Sequence, residues 1–192
     1  TYQLKKKFLI IKYEYKSNKK THVNLTNHSY WNLEKIKKNK IYNHELKLNS
    51  NKYLQIDKDL IPTGKTNRVK NSIYDFLKFQ NLGKKLNFFK NKKIDLKHKG
   101  FDITYIVKKN SRNFVGSLKN KNSNIQVNFF SNLPGVQLYS AQNLNYKKKL
   151  FPYHGICLET QYFPDSPNKK NFPSTLIKAN KRYTCFTKIK IY

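Results

Sequence analysis

Methionine is absent from this 192-residue chain, even at position 1, and cysteine occurs only twice, with proline and glycine six times each. A translation product starts with methionine, so the first expectation is a chain that is processed, trimmed or part of something longer. Two cysteines, Cys157 and Cys185, each inside an apolar run, exclude a disulfide framework, which shows more cysteines in a shorter chain. Both read as reduced core thiols. No stretch is rich in Gly, Ser or Pro and no internal repeat appears, so a single domain over residues 1–192 is expected. A domain of this size can bury roughly 70% of the surface that its unfolded chain exposes. The longest apolar run, Phe8-Leu9-Ile10-Ile11, is strand-sized, far short of the ~20 residues of a spanning helix. No basic-then-apolar leader opens the chain, which points to the cytoplasm and to no membrane partner.

Negative charge is scarce too: 10 Asp+Glu stand against 40 Lys+Arg, a formal charge of +30. Such an excess suggests nucleic acid or an anionic membrane. Arginine, however, is confined to Arg68, Arg112 and Arg182, whereas recognition of phosphates and bases recruits its bidentate fork. The lysines are spread along the whole chain, mostly where turns are expected. No specific nucleic-acid partner is therefore expected, only weak adhesion to polyanions at low salt.

What is present is period-two alternation. Short β-branched or aromatic runs bounded by Asn, Lys, Gly and Pro indicate an all-β antiparallel sandwich or barrel. Strands are expected over residues 2–4, 8–15, 22–26, 44–48, 103–108, 113–118, 124–130, 135–140, 155–161 and 183–191. Residues 81–88 suit one short helical turn. Ile61-Pro62-Thr63-Gly64 reads as a type I turn.

Because carboxylates are rare, each can be weighed. Glu34, Glu45, Asp57, Asp59, Asp75 and Asp95 sit among lysines or turn residues and are expected to be solvated. Glu159 differs: it lies in Ile156-Cys157-Leu158-Glu159-Thr160-Gln161, where the pleat sets Cys157, Glu159 and Gln161 on one face. It reads either as a charge on a half-exposed sheet or as a general base whose proton affinity is raised by burial. Asp102, in Gly100-Phe101-Asp102, reads as a turn cap or as an acceptor for ligand hydroxyls. Of five histidines, His28 is the one embedded among aromatics and amides, in Val23-Asn24-Leu25-Thr26-Asn27-His28-Ser29-Tyr30-Trp31-Asn32-Leu33, where it can serve as an acid or base or as a structural ring. No other His or Cys stands at ligand spacing from it, so no metal is expected. Gln137, in Pro134-Gly135-Val136-Gln137, adds an amide. Aromatic rings beside amides and carboxylates are what carbohydrate sites use.

Taken together, VNLTNHSYWNL, YLQIDKDLIPTG, KGFDITY, LPGVQLYSAQNL and GICLETQYFPDSPNKKNFPS resemble, in order and spacing, the aldose 1-epimerases, also called galactose mutarotases. The resemblance runs the length of the chain and implies a large antiparallel β-sandwich, without cofactor or metal, acting on a small-molecule hexose such as galactose or glucose. It implies His28 as general acid and Glu159 as general base, with Ser29, Tyr30, Asp102 and Gln137 as substrate contacts. The implied chemistry opens the hemiacetal, rotates the aldehyde and closes the ring as the other anomer. The alternative is a noncatalytic or degenerate sugar-binding relative.

Two departures stand out. Position 103 is Ile, where the family pattern often has His, which implies one polar contact fewer near the sugar. The family also carries an N-terminal segment with an Arg, an Asn and a further His at the site, to which nothing here corresponds. A sandwich truncated at its N-terminus is expected to expose sheet edges that aggregate or recruit a partner.

Overall fold

The computed structural model describes residues 1–36, 39–90, 99–147 and 149–192. Two antiparallel sheets face each other. The first is built from β1 (Tyr2–Lys5), β2 (Phe8–Tyr15), β5 (His44–Leu48), β8 (Gln80–Asn81), β10 (Phe114–Asn120), β11 (Ile125–Ser131) and β15 (Tyr183–Ile191), in the order β1-β2-β15-β11-β10-β5-β8. The second runs β4-β13-β12-β9-β6-β7, from β4 (Tyr30–Trp31), β6 (Lys52–Ile56), β7 (Pro62–Arg68), β9 (Asp102–Ile106), β12 (Gly135–Tyr139) and β13 (Ile156–Gln161). A small ribbon pairs β3 (Thr21–His22) with β14 (Leu176–Ile177).

Alternation within the strands builds the core. Leu46, Leu118, Val127, Phe129 and Ile189 from the first sheet and Ile103, Tyr105, Val136, Leu138, Ile156 and Leu158 from the second form one buried cluster. Each such side chain contributes about 1.5–3 kcal/mol relative to exposure. Trp31 meets Phe129 edge-on at 5.5 Å, and Thr160 hydrogen-bonds Thr187 at 2.5 Å, so β4 and β13 are tied to β11 and β15 across the sandwich. The expected all-β antiparallel sandwich is present.

Several local expectations need correction. Residues 23–29 are irregular, so the strand expected over 22–26 reduces to Thr21–His22. The cause is side-chain competition for the backbone. Asn24 donates to the carbonyl of Tyr162 at 3.1 Å and accepts from the Tyr162 N–H at 2.9 Å, while Thr26 Oγ1 donates to the carbonyl of Thr160 at 3.1 Å. Side chains thus lash this segment to the end of β13. The turn expected over 61–64 lies earlier: Asp57 accepts from the N–H groups of Asp59 and Ile61, both at 2.9 Å, and Leu60 takes φ 66°. Pro62 opens the edge strand β7, where a missing N–H is tolerated. The helix α1 (Leu82–Lys90) outruns the single turn expected. Asn81 caps it by accepting from the Lys84 N–H at 2.9 Å, and Leu82, Leu86 and Phe89 bury one face at helical spacing. Glu45 is not solvated: it lies between Lys119 at 3.0 Å and Lys121 at 3.2 Å, and Glu34 accepts from Asn120 at 2.8 Å. Asp95 lies outside the described residues.

Candidate functional site

The chemistry-bearing residues gather on the face of the second sheet that points away from the core, and strand register explains why. In antiparallel sheets, residues directly opposite share a face. One row reads Asp102, Tyr139, Cys157, Tyr30 across β9, β12, β13 and β4; the next reads Thr104, Gln137, Glu159. Two glycines permit the close approaches this needs. A Cβ on Gly155 would meet the Tyr30 Cβ at 2.9 Å, and one on Gly100, just ahead of Asp102, would collide with Ser140 Oγ, which accepts from the Phe101 N–H at 2.8 Å.

His28 arrives from the lashed segment rather than from a strand. Its Nε2 lies 3.6 Å from Glu159 Oε1 and its Nδ1 3.5 Å from Cys157 Sγ. The ring stacks on Tyr30, with centroids 5.0 Å apart, and meets Tyr139 edge-on at 6.2 Å. The His28 side chain is 52% exposed and that of Glu159 only 8%. An open imidazole therefore covers a buried carboxylate. Gln137 donates to Asp102 Oδ1 at 2.6 Å and accepts from Thr104 Oγ1, so the amide is fixed in orientation between two strands.

Burial sets the electrostatics. Desolvation lifts the Glu159 carboxyl above its ordinary value; the His28 ring pulls it down and the Asp102 charge pushes it up further. Desolvation likewise raises Asp102, opposed by the Gln137 hydrogen bond and by His28. Burial also pushes the Cys157 thiol up, assisted by both carboxylates, so the free thiol stays protonated. Two desolvated carboxyls thus share this face of a protein of formal charge +30.

Of the residues singled out from sequence, the structure brings His28, Glu159, Tyr30, Asp102 and Gln137 onto one surface. Ser29 is turned to a local bond, its hydroxyl donating to Asn27 Oδ1 at 2.5 Å. Ile103 is 2% exposed and faces the core, so a polar side chain there would not reach this surface. Sequence reasoning missed Tyr139, Thr104 and Cys157 as site residues, although each stands two positions from one that was named and so shares its face. Two clefts, about 690 and 550 Å³, lie elsewhere, lined by residues such as Phe8, Phe130 and Lys188 or Val107, Asn132 and Pro173. Neither lining includes an Asp or Glu carboxylate.

The family model for aldose 1-epimerase matches residues 1–190. The chain belongs to the aldose 1-epimerase family. Galactose mutarotase from Homo sapiens is 34% identical over 190 residues, covering 95% of this chain and 54% of that protein; the Mus musculus protein of the same name is 34% identical over 197 residues, covering 99% and 56%. This aldose 1-epimerase family chain thus spans about half the length of those relatives. The structure of the GalM/aldose epimerase homologue from C. elegans superposes with a TM-score of 0.87 at 20% identity, covering all of this chain and 58% of that one. Galactose 1-epimerase from Lactobacillus acidophilus gives 0.81 at 22% identity, covering 97% and 53%. At those identities the structural likeness speaks to the fold alone. Among the described residues, no helix is long and apolar enough to cross a membrane.

Proposed function

We propose that this surface is the acid–base centre of a mutarotase that interconverts the α and β anomers of a hexose such as galactose or glucose. One observation carries the reading: an open imidazole nitrogen stands 3.6 Å from a buried carboxylate whose proton affinity is raised, on a face that also presents a fixed carboxylate–amide pair. Glu159 takes the proton from the anomeric hydroxyl as protonated His28 gives one from Nε2 to the ring oxygen. The bond between the anomeric carbon and the ring oxygen breaks, leaving an open-chain aldehyde. Rotation about the bond between the first two carbons presents the other carbonyl face, and reclosure with the proton roles reversed gives the opposite anomer. Each positioned acid or base contributes ~10²–10⁴ in rate. Asp102 and Gln137 take sugar hydroxyls, and Tyr30 and Tyr139 offer flat rings to its apolar face.

A 3.6 Å gap does not admit a pyranose between the two groups, but the anomeric hydroxyl and the ring oxygen share one carbon, so both can be reached from one edge of the sugar. His28 is exposed on irregular backbone, and Glu159 sits in the strand ladder. The same closed gap favours a second reading, a relative that binds sugar at the rim without catalysing its opening. Polarimetry of freshly dissolved α-galactose distinguishes them. A mutarotase speeds the approach to equilibrium rotation, and Glu159→Gln slows that rate by at least about 10²-fold. Calorimetric binding of galactose without acceleration identifies the noncatalytic relative, and an undiminished Glu159→Gln rate removes Glu159 as the base.

A further inference from the structure

His28, Cys157 and Glu159 bring together one imidazole nitrogen, one sulfur and one carboxylate oxygen, all within 4.8 Å of one another. Among the described residues this is the one such cluster of three His, Cys, Asp or Glu side chains. The spacing argument that set metal aside compared local neighbours only; the fold supplies Cys157 from 129 positions away. We propose that these three side chains bind a zinc-class divalent cation.

The donor set decides the class. Mg²⁺ and Ca²⁺ take cages of oxygen ligands, whereas a thiolate with an imidazole and a carboxylate suits Zn²⁺ or Co²⁺. Distances agree as well. Metal–ligand bonds of about 2.0–2.3 Å around a tetrahedral ion set neighbouring donors roughly 3.3–3.7 Å apart. The His28 Nδ1 to Cys157 Sγ distance is already 3.5 Å. All three donor atoms lie within 4.8 Å of one another, so gathering them at those spacings needs a shift of about 1 Å. Three protein donors leave a fourth position for water.

The charges balance. Thiolate and carboxylate together neutralise a dication, and Asp102, which raises the proton affinity of both Glu159 and Cys157, adds its charge from the row of Cys157. The +30 charge of the whole chain opposes a cation from afar, but at physiological salt such fields are screened beyond about 8 Å. Coordination expels the thiol proton to the buffer as the metal–sulfur bond forms, and no electron moves.

The test is a titration of the intact chain with Co²⁺, read by the thiolate-to-metal absorption band, which reports sulfur coordination whether or not the protein turns over sugar. The expected result is a band saturating at one Co²⁺ per chain, lost on adding one equivalent of Zn²⁺, abolished in Cys157→Ser and retained in Cys185→Ser. Should Cys157→Ser unfold, as near-ultraviolet circular dichroism would reveal, His28→Ala serves instead: its side chain is half exposed, and the apparent Co²⁺ affinity should fall at least tenfold. No band at saturating Co²⁺, a band surviving in folded Cys157→Ser, or unchanged affinity in His28→Ala overturns the proposal. Because the ion uses donors assigned above to acid and base, it would exclude sugar; that consequence rests on the mutarotase reading, which the rotation assay tests separately.

Discussion

At Glu159, position and solvation pull in opposite directions. The pleat turns its carboxylate toward the site, yet the side chain is 8% exposed and burial raises its proton affinity despite the neighbouring imidazole. A carboxyl raised in the folded state binds more protons than it does unfolded, so its ionisation lowers stability as pH rises above the ordinary carboxylate range. Glutamine mimics the protonated form. Glu159→Gln should therefore melt at a higher temperature than the parent near neutrality, with the difference vanishing as pH falls below about 4, where both forms are uncharged; thermal melts at several pH values check this. His44 works the other way. It is fully buried, its Nε2 accepts from the Leu33 N–H at 2.7 Å, and desolvation lowers its pKa from 6.5 to about 4. Its stabilising contribution is complete above pH 6.5 and is lost as pH falls from 6.5 toward about 4, amounting to roughly 3 kcal/mol. In urea unfolding across that window, His44→Gln, whose amide can still accept from Leu33, should show a flatter dependence on pH.

Among the elements, the segment over residues 23–29 matters most, because it holds His28, the proposed acid, without being a strand. Its position depends on the reciprocal Asn24–Tyr162 pair and on Thr26. Asn24→Ala removes two exposed hydrogen bonds, a loss of about 1–2 kcal/mol at most in global stability. His28 would then be poorly held, and the predicted result is a mutarotation rate about tenfold lower, since small misplacements of a catalytic group are costly, with only a modest drop in the urea midpoint. This segment also shows where the sequence was legible. Long alternating runs such as 8–15, 44–48 and 183–191 declared themselves because half of each strand is core, and parity set Glu159 beside Cys157, but gathering Asp102, Gln137 and Glu159 on one face needed the register of β9, β12 and β13. Residues 22–26 alternate as well, but Asn24 and Thr26 spend their polar atoms on a neighbouring backbone, a long-range partnership that periodicity does not encode. The edge strand β7, reading Pro-Thr-Gly-Lys-Thr-Asn-Arg, escaped because it buries almost nothing. The meeting of Cys157 with His28 likewise needed the register of β4 on β13.

Across the whole molecule, charge and an open margin dominate. A formal charge of +30 repels itself, and raising salt from about 0.01 to about 0.15 M shortens the screening length from about 30 to about 8 Å. The melting temperature should rise over that range, as differential scanning calorimetry would record. β1 stands at the sheet margin with all four residues exposed, Tyr2 at 70% and Leu4 at 79%. An apolar edge of this kind invites pairing with another strand. Leu4→Lys should reduce concentration-dependent light scattering while leaving mutarotation unchanged; equal scattering from both proteins would show that association arises elsewhere.

β13 has one further consequence. Its inward residues, Ile156, Leu158 and Thr160, hold the two layers together, while its outward residues, Cys157 and Glu159, face the proposed site. Cohesion and reactivity are thus spelled in alternate letters of one six-residue word. Inserting or deleting a single letter would exchange them, forcing a carboxylate into oil and turning a leucine toward the sugar. This word can be respelled, but its length cannot change.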